Sequence, residues 1–233
     1  DLVRSRGLGD VYKRQHQYAP FFSELWHKIR NGESLTYSWN IGMGTNFTSL
    51  FAYYLASPSN WFVALFPQKY TIEIMNAFII LKIAGSSLSL TYYLTKHNNN
   101  KHVIAAIFGM FYGMSGFIAA YSWNIMWLDC VILIPLIMLG LERLVNENRC
   151  IFYCITLGLC IFTNYYIAIM VCLSVVIYYV VLMIAYNGIK SPMQYVKKFI
   201  NFCVYSLLAG GLGACLLPVS YTHLRAHETV LDL

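Results

Sequence analysis

Two ionisable side chains lie where a charge is costly. Lys82 is flanked by apolar residues within the run from 70 to 95, and a helix begun at residue 70 would carry it about 18 Å inward. Asp129 heads the stretch "DCVILIPLIMLGL", which holds no other charge. A charge at membrane depth costs roughly 2.5–3.5 kcal/mol on insertion scales, so each group must be paired or face a wet cavity. Asp129 lies about one turn inside its run, where a helix N-terminus returns only about 0.3–1 kcal/mol. Lys82 has two natural partners: the Asp129 carboxylate, as a structural pair, or a lipid-borne phosphate, as a ligand. Asp129 is therefore the candidate catalytic carboxylate and Lys82 the candidate phosphate-binding cation, with a Lys82–Asp129 pair as the plain alternative.

Amides beside aromatic rings form the second group. The pentapeptide "YSWNI" occurs at 37–41 and again at 121–125. Each copy sets an asparagine, Asn40 or Asn124, beside a tryptophan that can anchor at a membrane interface. The amide can hydrogen-bond a sugar or a phosphate; the bland reading is interface anchoring alone. The copies are not a repeat of fold, because their surroundings differ. In "TNYY", Asn164, Tyr165 and Tyr166 mark a turn between two apolar runs and either line the same cavity or only turn the chain. No P-loop, dinucleotide fingerprint, HExxH, GxSxG or zinc-ligand spacing occurs, so soluble-type nucleotide chemistry has no support. The cysteines form no C-x-x-C pair and read as small buried hydrophobes, and no metal site is expected.

The elements that must position these residues follow from composition. Hydrophobic residues make up 58% of the chain and charged residues 11%, against about 25% charged in a soluble domain; mean hydropathy is +0.55. The fold class is all-α: a polytopic transmembrane helical bundle. Six spans are expected, at 70–95, 103–121, 125–144, 149–164, 166–187 and 199–217. The links "KHNNNKH", "ERLVNENR" and "KSPMQYVKK" are basic, whereas "YSWNIMW" and "TNYY" carry no Lys or Arg. The positive-inside rule places the basic links in the cytoplasm and 16–69 and 121–128 outside. The net charge of +6 thus orients helices and gives no sign of a nucleic-acid partner; membrane lipids are the expected surroundings.

Residues 16–69 form the first outer loop. Phe21, Phe22, Leu25, Trp26 and Ile29 share one face of an amphipathic helix over 16–34, with Glu24, Lys28 and Arg30 off that face; such a helix lies in the interface plane. Residues 35–45 form a loop carrying "NIGMG". Residues 46–67, interrupted by Pro58, read as two short helices that dip or lie flat, with a full crossing as the alternative. The ends, "DLVRSRGLGDVYKRQ" at 1–15 and "VSYTHLRAHETVLDL" at 219–233, are foreign in character and adapter-like, and are set aside from fold reasoning together with the His223 and His227 pair.

The blocks "QYAPFFSELWHKIRNGESLTYSWNIGMGTNF…AYYLASPSN", "YSWNIMWLDCVILIPLIMLGLERL" and "TNYYIAIM" resemble the YfhO-type bacterial membrane proteins over about 16–218. That resemblance implies a GT-C-like bundle and a glycosyltransferase. Its donor would be a polyprenyl-phosphate-linked sugar, its acceptor a cell-envelope polymer such as teichoic acid, and its partner an enzyme that loads the carrier. It adds Gln17, Tyr18 and Asn46 to the substrate-binding candidates Asn40, Lys82, Asn124, Asn164 and Tyr165. It implies no certain cofactor and leaves a divalent metal open. Catalysis would sit in the first outer loop, with an acid just upstream of Gln17 as general base; here that position reads "KRQHQY". The resemblance therefore implies a fragment, lacking its first span, its C-terminal spans and that acid, and so inactive. A non-enzymatic transporter or flippase of a lipid-linked sugar is the alternative function; a scaffold would leave Lys82 and Asp129 unexplained.

The alternation of basic and charge-free links generates a topology test. In a cysteine-free background, single cysteines at Asn40 and Asn99 should react with a membrane-impermeant reagent from opposite sides. Labelling of both from outside would overturn the arrangement.

Overall fold

The computed structural model describes residues 18–41, 44–98, 102–185 and 192–213. The end segments 1–15 and 219–233, and Gln17, lie outside the described residues. Helix α1, Ala19–Asn31, has Pro20 in its first turn, where a missing N–H costs nothing, and stops at Gly32 (φ 64°), whose N–H bonds to the Lys28 carbonyl. A two-residue antiparallel hairpin follows, β1 Tyr37–Ser38 with β2 Thr45–Asn46, in the register Tyr37↔Asn46. Then come a short helix α2, Phe47–Leu50, a π-turn at Phe51–Leu55 and 3₁₀ turns at Pro58–Leu65 and Gln68–Tyr70. Together these form a cap.

The bundle comprises α3 Thr71–Asn98, α4 His102–Gly113, α5 Gly116–Tyr121, α6 Ile125–Glu147, α7 Ile151–Thr163, α8 Tyr165–Ala185 and α9 Pro192–Gly213. Among the described residues, four helical stretches are long and apolar enough to cross a membrane: Gln68–Asn98, Val103–Tyr121, Ile125–Glu147 and Tyr165–Ala185. The chain is thus an all-α, multi-pass membrane bundle. Ile151–Thr163 is apolar but has 13 residues, about 20 Å of helix. Beyond shifts of up to three residues at several helix ends, two differences from the sequence reading are larger. The helix over 103–121 breaks at Met114–Ser115, where Ser115 is extended (ψ 153°) between Gly113 and Gly116. Helix α9 begins at Pro192, not at 199; Pro suits a first helical position, and the Lys198 ammonium reaches the Val145 carbonyl at the end of α6.

The two ends of the bundle are distinct. Tyr18 meets Asn124 at the cap end, whereas Tyr93, Glu142 and Tyr178 meet at the other, basic end. Large apolar side chains such as Leu88, Phe111, Ile177 and Leu207 face outward, as a lipid-facing surface requires. Without a hydrophobic drive between helices, close approach depends on small residues. Gly109 and Gly113 supply it on α4: a Cβ on Gly109 would lie 2.5 Å from the Ser87 carbonyl and collide with the Thr91 hydroxyl, and one on Gly113 would collide with the Ser87 hydroxyl. On α6, a Cβ on Gly140 would lie 2.8 Å from the Tyr153 Cα of α7.

Backbone cannot yield as a side-chain tip can, so Gly140→Val should destabilise by about 1–3 kcal/mol, the usual cost of overpacking. Gly210, with nothing near its missing Cβ, should accept alanine and gain up to about 1 kcal/mol of helix propensity. Thermal melts of the purified variants check the contrast.

Candidate functional site

Lys82 leaves α3 and reaches α6, where its ammonium donates to Asp129 Oδ2 at 2.7 Å and to the Ile125 carbonyl at 3.2 Å. The two side chains are 5% and 14% exposed. Of the partners the sequence allows for Lys82, the structure supplies Asp129. Opposite charges at contact in a weakly screening interior attract strongly, which offsets the desolvation of both. Asp129 Oδ1 has no hydrogen bond among the described residues.

The cap is seated beside this pair. The Tyr18 hydroxyl donates to Asn124 Oδ1 at 2.9 Å, out of solvent. Tyr18, Phe22, Leu25, Phe47 and Leu55 from the cap share one core with Met75 of α3 and with Ile125 and Leu128 of α6. Burial, reinforced by the nearby hydroxyls of Tyr54 and then Tyr53, pushes the Tyr18 phenol well above its ordinary pKa. The phenol therefore remains a donor across the physiological range.

Glu24 and Lys28 correct the sequence reading, in which they lay off the packed face of α1. Both are buried, because the hairpin folds over them. Glu24 accepts the Ser38 hydroxyl at 2.6 Å and the Asn40 amide at 3.1 Å. Lys28 lies 3.8 Å from Glu24 and donates to the carbonyls of Ser34 (3.0 Å) and Tyr37 (2.8 Å). Gly44 (φ 107°) closes the hairpin where a Cβ would strike the Tyr37 phenol. At the tip, Trp39 is 77% exposed and packs edge-on to Tyr37 at 4.9 Å. Both asparagines of the repeated pentapeptide thus bond to the cap helix region, Asn40 to Glu24 and Asn124 to Tyr18, and both copies lie at one end of the bundle.

The remaining candidates divide. Asn46 caps α2 by accepting the Thr48 N–H at 3.1 Å. Asn164 caps α8 by accepting the Ile167 N–H at 2.9 Å, while its buried Nδ2 has no partner. Tyr165 lies 5.9 Å from Tyr53, and Trp127 stacks on Tyr166 at 6.5 Å and meets Tyr121 at 5.7 Å. The Trp127 indole N–H is also buried without a partner. Rings of Tyr18, Tyr54, Tyr53 and Tyr165 continue this aromatic wall along the cap. Burial, with Tyr165 and Tyr166 adding to it, raises the Tyr53 pKa. The sequence reading omitted Tyr53, Tyr54 and Trp127 as site residues; the signal present was the concentration of Tyr and Trp at the ends of apolar runs. No group of three His, Cys, Asp or Glu side chains converges among the described residues.

A family model for the bacterial membrane protein YfhO matches residues 4–231. No curated protein and no solved structure matches.

Removing one partner of a buried ion pair strands the other. Lys82→Met and Asp129→Asn should each cost about 3–5 kcal/mol, and the double substitution should recover most of the loss. Melting temperature and membrane abundance of the three variants measure it; additive losses would contradict the pairing.

Proposed function

The chain belongs to the YfhO family of bacterial membrane proteins, and on that premise we propose that it serves in transferring a sugar from a polyprenyl-phosphate carrier to a cell-envelope polymer such as teichoic acid, on the outer side of the membrane. The observation that carries this reading is that two buried donors, Trp127 Nε1 and Asn164 Nδ2, have no hydrogen-bond partner among the described residues, at an end of the bundle where Trp127 stacks on Tyr166 and Tyr165 meets Tyr53. Buried polar groups are ordinarily hydrogen-bonded. A sugar answers both needs, with hydroxyl oxygens to accept the N–H groups and an apolar C–H face to lie on the rings.

The chemistry follows from the charges beside this wall. In the transfer, the bond from the anomeric carbon to the carrier phosphate oxygen breaks and a bond to the acceptor oxygen forms. The acceptor's proton needs a carboxylate within hydrogen-bond reach, a contribution of about 10²–10⁴-fold. At the position upstream of Gln17 where the family resemblance places an acid, this sequence reads "KRQHQY". Of the wholly or partly buried carboxylates at the cap end, Glu24 has both oxygens bonded to Ser38 and Asn40, whereas Asp129 Oδ1 accepts no hydrogen bond from the described residues. Asp129 is accordingly the candidate base, and Lys82, one hydrogen bond away, lends positive charge towards a departing phosphate. Tyr18 and Asn124 fix the cap over this pair, with Asn40 and Asn46 ordering the hairpin.

Two uncharged changes separate recognition from folding. Trp127→Phe keeps an aromatic ring and Asn164→Ser keeps a helix-capping oxygen, yet each removes one N–H donor. With a polyprenyl-phosphate sugar and an envelope-polymer acceptor, each should lower transfer about tenfold, one hydrogen bond's worth, at unchanged abundance. Undiminished transfer in both variants removes the sugar wall. Carrier movement across the membrane without any transfer would favour the transporter reading.

A further inference from the structure

The basic end of the bundle holds a polar cluster that the proposed transfer does not use. Glu142 of α6 is buried, and its Oε1 accepts three side-chain donors: the Tyr93 hydroxyl at 2.8 Å and His97 Nδ1 at 2.9 Å from α3, and the Tyr178 hydroxyl from α8. One carboxylate thereby clamps three helices. Beside it opens a pocket of about 440 Å³ lined by Lys96, His97, Glu142, Arg143, Asn146 and Glu147, with Leu139 and Leu182 completing the wall.

The lining carries two cations, Lys96 and Arg143, and two carboxylates, Glu142 and Glu147, but the carboxylates are already engaged by other groups. Glu147 is engaged by Arg149 at 3.4 Å, outside the lining. Glu142 is answered by its three donors. Lys96 and Arg143 meet no carboxylate at ion-pair distance among the described residues; each lies over a ring instead, Lys96 5.8 Å from the Tyr92 centroid and Arg143 5.3 Å from that of Phe152. The C-terminal turns of α3 and α6 favour cations here, yet they leave the ammonium and guanidinium donors unspent. Two free cations, an amide and two leucines in one cavity suit an amphiphile with an anionic head. Basic pockets between membrane helices take phosphate headgroups in this way, and a guanidinium matches a phosphate with paired donors.

We propose that this pocket binds the phosphodiester headgroup of an anionic membrane lipid, with Lys96 and Arg143 on the phosphate and Leu139 and Leu182 against the first carbons of the tail. The site is separate from the sugar wall, at the opposite end of the bundle. Its test is retention of lipid by the purified protein in detergent, counted by native mass spectrometry with phosphatidylglycerol or phosphatidylcholine added. Phosphatidylglycerol should be retained about tenfold more than phosphatidylcholine, and the double variant Lys96→Met with Arg143→Met should abolish that preference. Lys197→Gln removes a neighbouring positive charge outside the pocket and should leave the preference intact. Arg143→Lys, which keeps charge but loses the paired donors, should weaken it in between and serves if the double variant does not fold. Equal retention of the two lipids overturns the proposal, as does an equal loss with Lys197→Gln, which would mean diffuse charge. Stabilisation by inorganic phosphate equal to that by phosphatidylglycerol also overturns it, assigning the cavity to a soluble anion.

Discussion

A single contact, the Lys82 ammonium on the Asp129 carboxylate at 2.7 Å, governs the arrangement of the cap end. Neither charge can be left alone in the bundle, so α3 and α6 must meet at this level and in this rotation. Once they do, Met75 of α3 and Ile125 and Leu128 of α6 present one apolar floor to the cap. Phe22, Leu25, Phe47 and Leu55 settle on that floor, and the Tyr18–Asn124 hydrogen bond fixes their orientation. The cap's position is thus a consequence of an electrostatic requirement deeper in the bundle.

The same device recurs away from the pair. Glu24 binds the hairpin to α1 through Ser38 and Asn40, and Glu142 binds α3 and α8 to α6 through Tyr93, His97 and Tyr178. In each case a carboxylate taken out of water recovers its lost hydration from several donors on different elements. Such a group resists any rearrangement that would strand it. Rigidity is therefore concentrated at the two ends, where ligands would enter, while the lipid-facing middle is held by packing of small residues such as Gly109, Gly113 and Gly140.

The exceptions to this full pairing are informative because they are few. Among the described residues, His27, Asn60, Trp127 and Asn164 keep buried polar atoms without a hydrogen-bond partner. Asn164 shows the division of labour within one side chain: its oxygen caps α8, and its nitrogen is left over. Trp39 shows the complementary case, an apolar ring held out in the open at 77% exposure by a hairpin whose base is pinned by buried charges. Both features lie at the cap end.

The sequence alone determined the class, an all-α bundle crossing a membrane, because hydrophobicity and run length are local quantities that any stretch of chain carries with it. It also marked Lys82 and Asp129 as charges needing an answer, since the cost of burying them does not depend on which partner arrives. What it left open was who the partners are. Lys82 finds Asp129 and Tyr18 finds Asn124 across separations of 47 and 106 residues, and spacing along the chain says nothing about contacts at that range. Helical periodicity placed Glu24 and Lys28 away from the apolar face of α1, correctly as an angle; only the folding of the 37–46 hairpin onto that side buried them. Glu142 was a charge in a basic link until α3 and α8 brought it three donors. Local chemistry sets each requirement, and tertiary structure alone decides how it is met, because the groups that meet it arrive from distant parts of the chain.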